Sequence, residues 1–90
     1  MDWKVFAWLR RGKRRLAVLK IFTESKQPLT INDIKDISKI AISQASLTVK
    51  ELCDKNLIRC LNQDDKIGKL YVISTEGKDC IEYMKTGKKL

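Results

Sequence analysis

The stretch Ser43-Gln44-Ala45-Ser46-Leu47-Thr48-Val49-Lys50-Glu51-Leu52-Cys53-Asp54-Lys55 decides how this chain is read. Ala45, Val49, Leu52 and Cys53 recur at steps of four, three and one, which sets all four on one face of a helix. The other face carries Ser43, Gln44, Ser46, Leu47, Thr48, Lys50 and Glu51, mostly small or hydrogen-bonding side chains. One side suits a core and the other a polar surface.

Upstream, Ile31, Ile34, Ile37 and Ile40 mark a shorter apolar segment. Thr30 has the chemistry of an N-cap, and Asp33 three residues on completes an acidic variant of the capping box. The spacing predicts a helix with Ile34 and Ile37 turned inward, ending near Ser38, and a tight turn bracketed by Ile40 and Ile42. Local chemistry favours Ser43 as the cap of the second helix, because Ala41 has no side-chain acceptor. Asn56 can take the left-handed conformation that closes a helix.

Downstream the pattern turns β-like. Leu57 is expected in the core, followed by short strands at 58–61 and 70–73. The polar loop 62–69 between them, with Asp64, Asp65 and Gly68, makes a hairpin. Thr75 is the expected cap of a last helix, with Glu76 in its first turn; Cys80, Ile81 and Met84 give it an apolar side, and Gly87 stops it. Helix, tight turn, helix and hairpin outline a winged helix-turn-helix, mostly α with a small β-hairpin wing in the α+β class. The expected organisation is an N-terminal helix over 1–11, a winged-helix domain over 12–86 and a tail at 87–90. Within the domain, the helix-turn-helix lies at about 31–55, the wing at about 58–73 and the last helix at about 75–86.

The N-terminal segment is apolar on two sides. At 100° per residue, Trp3, Phe6 and Ala7 fall on one side of a short helix over 3–9, and Val5, Trp8 and Leu9 on the other. Its own domain can cover one side. A second subunit is the economical cover for the other, which makes Trp3, Phe6, Trp8 and Leu9, with Met84 of the last helix, the candidate dimer interface. A helix seated wholly in a groove of its own domain is the alternative, and a membrane-surface helix is disfavoured by the lack of one clean stripe.

Arg10-Arg11-Gly12-Lys13-Arg14-Arg15 follows, with Gly12 reading as a junction between helices. Cations at a helix start oppose the helix dipole, so their clustering there points to an anionic partner. Leu16, Leu19, Ile21 and Phe22 then anchor a helix that ends around Glu24. Residues 1–28 hold eight basic and two acidic side chains, which is +6 of the net +8, whereas residues 29–57 balance at four each. A polyanion is the partner such an excess suits.

Composition closes off other chemistries. At 90 residues, 43% hydrophobic and 33% charged, the chain is one globular domain. It has no histidine, so the commonest general acid–base and the Ser–His and Cys–His pairs are missing. Cys53, Cys60 and Cys80 lack the spacing of a zinc site and read as small buried residues. The four glycines are scattered singly, which excludes a phosphate-cradling loop. No catalytic residue, metal or cofactor is expected, nor a small-molecule substrate. No signal peptide or membrane span is legible, which suggests a cytoplasmic protein.

Four pieces in this order resemble the archaeal winged-helix transcription regulators related to the MarR and ArsR groups. Arg10–Leu16 with Val18-Leu19 resembles the basic entry to their first helix, and residues 43–61 their recognition helix and the junction after it. Lys66-Ile67-Gly68-Lys69-Leu70-Tyr71 resembles the return strand of the wing, and Ser74-Thr75-Glu76-Gly77-Lys78 the start of the final helix. Counted back from Leu52, the family register puts the recognition-helix cap near Ala41 rather than Ser43. The chain departs from the pattern in having Asn56 where glycine is usual, Lys35 where a small residue is, and Leu47 where an arginine is frequent. That arginine is the commonest bidentate reader of guanine.

The resemblance implies a homodimer that binds double-stranded DNA and regulates transcription. Ser43, Gln44, Ser46, Leu47, Thr48 and Lys50 are the candidate base readers. Gln44 suits adenine, and Leu47 either meets a thymine methyl or is buried against the wing or a partner. Arg11, Lys13, Arg14, Arg15, Lys66 and Lys69 are the candidate phosphate contacts. A winged helix serving as a protein-interaction adaptor is the alternative, suggested by Leu47 and the balanced charge of residues 29–57.

Overall fold

A computed structural model describes residues 2–64 and 68–86 of the chain. Five helices and a hairpin follow one another: α1 (Trp3–Arg11), α2 (Lys13–Glu24), α3 (Ile31–Ser38), α4 (Ile42–Asp54), β1 (Ile58–Cys60), β2 (Tyr71–Ile73) and α5 (Thr75–Thr86). The fold is a winged helix-turn-helix, mostly helical with one two-stranded antiparallel sheet.

The packing centre is α2, which touches α1, α3, α4, α5 and β2. Val18, Leu19 and Phe22 are buried on it, with Leu16 and Ile21 packed beside them. A helix with apolar residues on several sides belongs inside a bundle, and α2 takes that place. Phe6 and Leu9 of α1, Leu29, Ile34 of α3, Ala45, Val49 and Leu52 of α4, Leu57, Ile58, Tyr71, Cys80 and Ile81 complete the core.

Local chemistry sets most helix ends. Thr30 Oγ1 accepts from the Asp33 amide and the Asp33 carboxylate accepts from the Thr30 amide, both at 3.0 Å, so the capping box is formed. Lys39 ends α3 at φ 58°, a left-handed residue that no glycine or asparagine announced. Asn56 closes α4 at φ 61°; the Leu57 amide donates to the Leu52 carbonyl at 3.0 Å and the Asn56 amide to that of Cys53 at 3.0 Å. These are the two bonds of a Schellman motif.

Several local expectations are corrected. Helix α4 begins at Ile42 and is flanked by Ala41, not Ser43; the Gln44 side chain compensates by accepting from the Ala41 amide at 3.4 Å. Ile37 is 53% exposed rather than inward, because α3 buries only its Ile34 side. Ser74, not Thr75, caps α5: its Oγ accepts from the Gly77 amide at 3.0 Å and donates to the Asn56 carbonyl at 2.6 Å. Both strands are shorter than expected. Cys53 and Cys60 are half-buried; only Cys80 is fully buried.

The hairpin pairs Ile58 with Ile73, Arg59 with Val72 and Cys60 with Tyr71. Leu29, in the loop after α2, adds an unforeseen isolated bridge on the other side of β2, exchanging hydrogen bonds with Tyr71 at 2.9 and 2.8 Å. Asn62 holds the base of the wing, its Oδ1 accepting from the Leu70 amide at 2.7 Å and its Nδ2 donating to the Gly68 carbonyl at 3.3 Å. The wing tip at 65–67, including Lys66, lies outside the described residues.

Candidate nucleic-acid interface

Helix α4 presents one bare face. Ala45, Thr48, Val49 and Leu52 are buried, while Ser43, Gln44, Ser46, Leu47 and Lys50 are exposed. Leu47 stands near the middle of that face and is 49% exposed, so it is not buried among the described residues. Its neighbours on the helical projection are Ser43 and Lys50. Gln44 is only partly free to read a base. A bidentate grip on adenine uses its carbonyl oxygen, which accepts from the Ala41 amide at 3.4 Å and keeps a second lone pair, so that grip would have to share the oxygen or release the cap.

Thr48 does not belong to the reading set. It is 0% exposed, and its hydroxyl is spoken for on both sides. It donates to the Gln44 carbonyl at 2.7 Å and accepts from Arg14 Nε at 2.8 Å. The sequence projection misses this because Thr48 lies at the edge of the apolar stripe, where α2 packs over it.

Cations stand on both flanks of the bare face. Lys13, Arg14 and Arg15, with Gly12 and Glu51, line a groove of about 360 Å³ between α2 and α4. Gly12 joins α1 to α2 and offers no side-chain cap to the first amides of α2. On the other flank Lys50, Arg59 and Lys69 line a groove of about 470 Å³ between α4 and the hairpin. Arg59 escaped the sequence reading. The alternation Ile58 in, Arg59 out is the signal that exposes it.

The remaining candidates are spread more widely. Arg11 is exposed at the end of α1. Arg15 folds back across Gly12 and lies over the Trp8 ring at 4.0 Å, with Lys55 Nζ near the same ring at 5.4 Å. Carboxylates gather away from the α2 groove: Asp2, Asp54, Glu76 and Asp79 line one hollow beside the C-terminal end of α4.

The candidate dimer residues divide. Leu9 is 0% exposed and Phe6 nearly so, both consumed by the core of their own chain, and Trp8 sits beneath Arg15 and Lys55. These three are corrected from interface to intrachain packing. Trp3 is 55% exposed, at the end of an edge-to-face cluster with Phe6 and Tyr83. Met84 lies half-buried on α5.

Burial pushes the Cys53 thiol up to about 11, with Cys60 and Asp54 nearby acting in the same direction. Burial likewise raises the Cys80 thiol and the Tyr71 hydroxyl. Among the described residues, no group of three or more Cys, Asp or Glu side chains is placed to hold a metal. No helix among them is long and apolar enough to cross a membrane.

No protein-family model and no curated protein sequence matches the chain. Solved structures do. MarR from Escherichia coli superposes with a TM-score of 0.74 at 19% identity, over 89% of this chain and 62% of that one. The fold is the MarR-type winged helix. A MepR point mutant from Staphylococcus aureus, bound to an oligodeoxyribonucleotide, gives 0.76 at 20% identity over 93% of this chain and 64% of its own. A MarR/EmrR family transcriptional regulator from Acinetobacter gives 0.73 at 19%, over 90% and 59%. The present chain thus spans less than two thirds of the length of these MarR-type proteins.

Proposed function

We propose that this chain is a double-stranded DNA-binding transcription regulator acting in the cytoplasm as a homodimer. The observation that carries the reading is the bare face of α4 between two cationic grooves. In this reading α4 enters the major groove, and Ser43, Ser46, Leu47, Lys50 and the free amide of Gln44 meet base edges. Arg11, Lys13, Arg14 and Arg15 hold phosphates on one flank, with Lys69 and Arg59 on the other; Lys66, given the same role by the sequence, lies outside the described residues. That a MarR-type neighbour is bound to an oligodeoxyribonucleotide supports the assignment. Kinship with archaeal and ArsR-like regulators belongs to the same proposal and rests on the sequence pieces alone.

Salt titration of duplex binding tests it. Each phosphate contact contributes a slope of about −0.9 to log K against log salt. With the contacts named here, affinity should fall roughly a thousandfold or more between about 50 and 200 mM salt. An affinity that scarcely changes over that range rejects the mechanism.

One observation favours the adaptor reading: Ile37, Ile42 and Leu47 leave three large apolar side chains exposed on the helix-turn-helix. An adaptor would keep its partner when Lys13 and Arg14 are both changed to alanine, and would show no duplex binding for that change to weaken.

A further inference from the structure

Thr48 is the buried polar side chain among the described residues, and it sits in the helix assigned to base reading. Its side-chain partner comes from the cationic helix: Arg14 reaches across 34 positions of sequence to donate from Nε at 2.8 Å. Arg14 is nonetheless an exposed residue lining the groove between α2 and α4. A guanidinium has five N–H donors in a rigid plane. With Nε turned to Thr48, the edge formed by the two terminal nitrogens stays available for the bidentate grip that suits a phosphate.

We propose that Arg14 is a positioning residue that bridges the DNA backbone and the recognition helix. This rests on the DNA-binding reading above. One edge of its guanidinium takes a phosphate while Nε fixes α4 through Thr48, whose hydroxyl in turn binds the Gln44 carbonyl. The phosphate contact therefore sets the rotation and depth at which Ser43, Ser46 and Leu47 meet the bases. A lysine at this place keeps the charge and loses the fork. Arg14 thus contributes to sequence preference without touching a base.

The test uses the whole protein and a randomised duplex pool, from which the preferred duplex is isolated; affinities for it and for a scrambled duplex are then compared across salt. Arg14→Lys and Thr48→Val should each lower the ratio of preferred to scrambled affinity about tenfold, the scale of a charge-assisted hydrogen bond. Both should leave the salt slope unchanged, and the double variant should lose no more than either single one. Thr48→Ser, which restores the hydroxyl, should restore the ratio. Arg14→Ala should lower the ratio and also flatten the slope by about 0.9 per site. Arg14→Lys leaves the core intact, so it remains informative if Thr48→Val folds poorly. A preferred duplex bound with undiminished preference by Arg14→Lys overturns the bridge alone, as do additive losses in the double variant. A wild-type protein that binds no duplex overturns the DNA-binding reading beneath it, whereas one that binds every duplex alike overturns the bridge.

Discussion

At the scale of single residues, Leu47 carries the sharpest consequence. A leucine cannot replace the water it strips from a donor or acceptor, so a polar base edge set against it is penalised. The apolar group available in the major groove is the C5-methyl of thymine. Replacing thymine by uracil at the contacted position should weaken wild-type binding about fourfold per methyl, from the burial of one carbon. The same replacement should cost a Leu47→Ala variant almost nothing. Equal losses in both proteins would show that Leu47 reads no methyl. That Leu47 is exposed was one of two outcomes open in the sequence, because a leucine on a polar face serves a wing contact as well as a ligand. Thr48 shows the converse, a polar residue whose burial follows from the position of α2 and from nothing in its own neighbourhood.

At the scale of elements, local capping chemistry was readable at α3 and at the end of α4, and missed by one residue at α5. Thr30 with Asp33 and the left-handed Asn56 are short-range hydrogen-bonding devices, and both are formed. The start of α4 is different. That helix starts at Ile42, past the better capping chemistry of Ser43, with alanine at its cap and the Gln44 side chain accepting from the Ala41 amide. Gly77 illustrates an element fixed by close approach. A methyl group there would lie 2.2 Å from the Leu57 carbonyl oxygen and 2.7 Å from Ile73 Cγ1, so α5 passes directly over the end of the α4–β1 junction. Gly77→Ala should lower unfolding free energy by about 1–3 kcal/mol in denaturant titration, since backbone cannot yield as a side chain can. An unchanged midpoint would mean that α5 does not pack this closely on Leu57. In sequence this glycine is only one residue of the start of the last helix; the fold shows that it lets two elements touch.

At the scale of the whole molecule, the charge layout and the unfinished apolar surface matter most. Cations flank α4, and carboxylates collect at the hollow beside its far end, so the field favours one orientation on a polyanion. The exposed Trp3, backed by Phe6 and Tyr83, is the surface on which the homodimer reading depends. Sedimentation should find wild type dimeric and Trp3→Glu monomeric with unchanged helix content; a wild type that stays monomeric on duplex DNA would remove that reading. By itself the amino-acid order determined the helix-turn-helix, the hairpin and the cationic N-terminal third, because periodicity, capping and composition act over a few residues. Only the folded chain decided that α2 is the hub, that Leu9 and Trp8 serve their own domain, and that Arg14 meets Thr48. These depend on which face of one element lies against another, and that choice is made by the core as a whole.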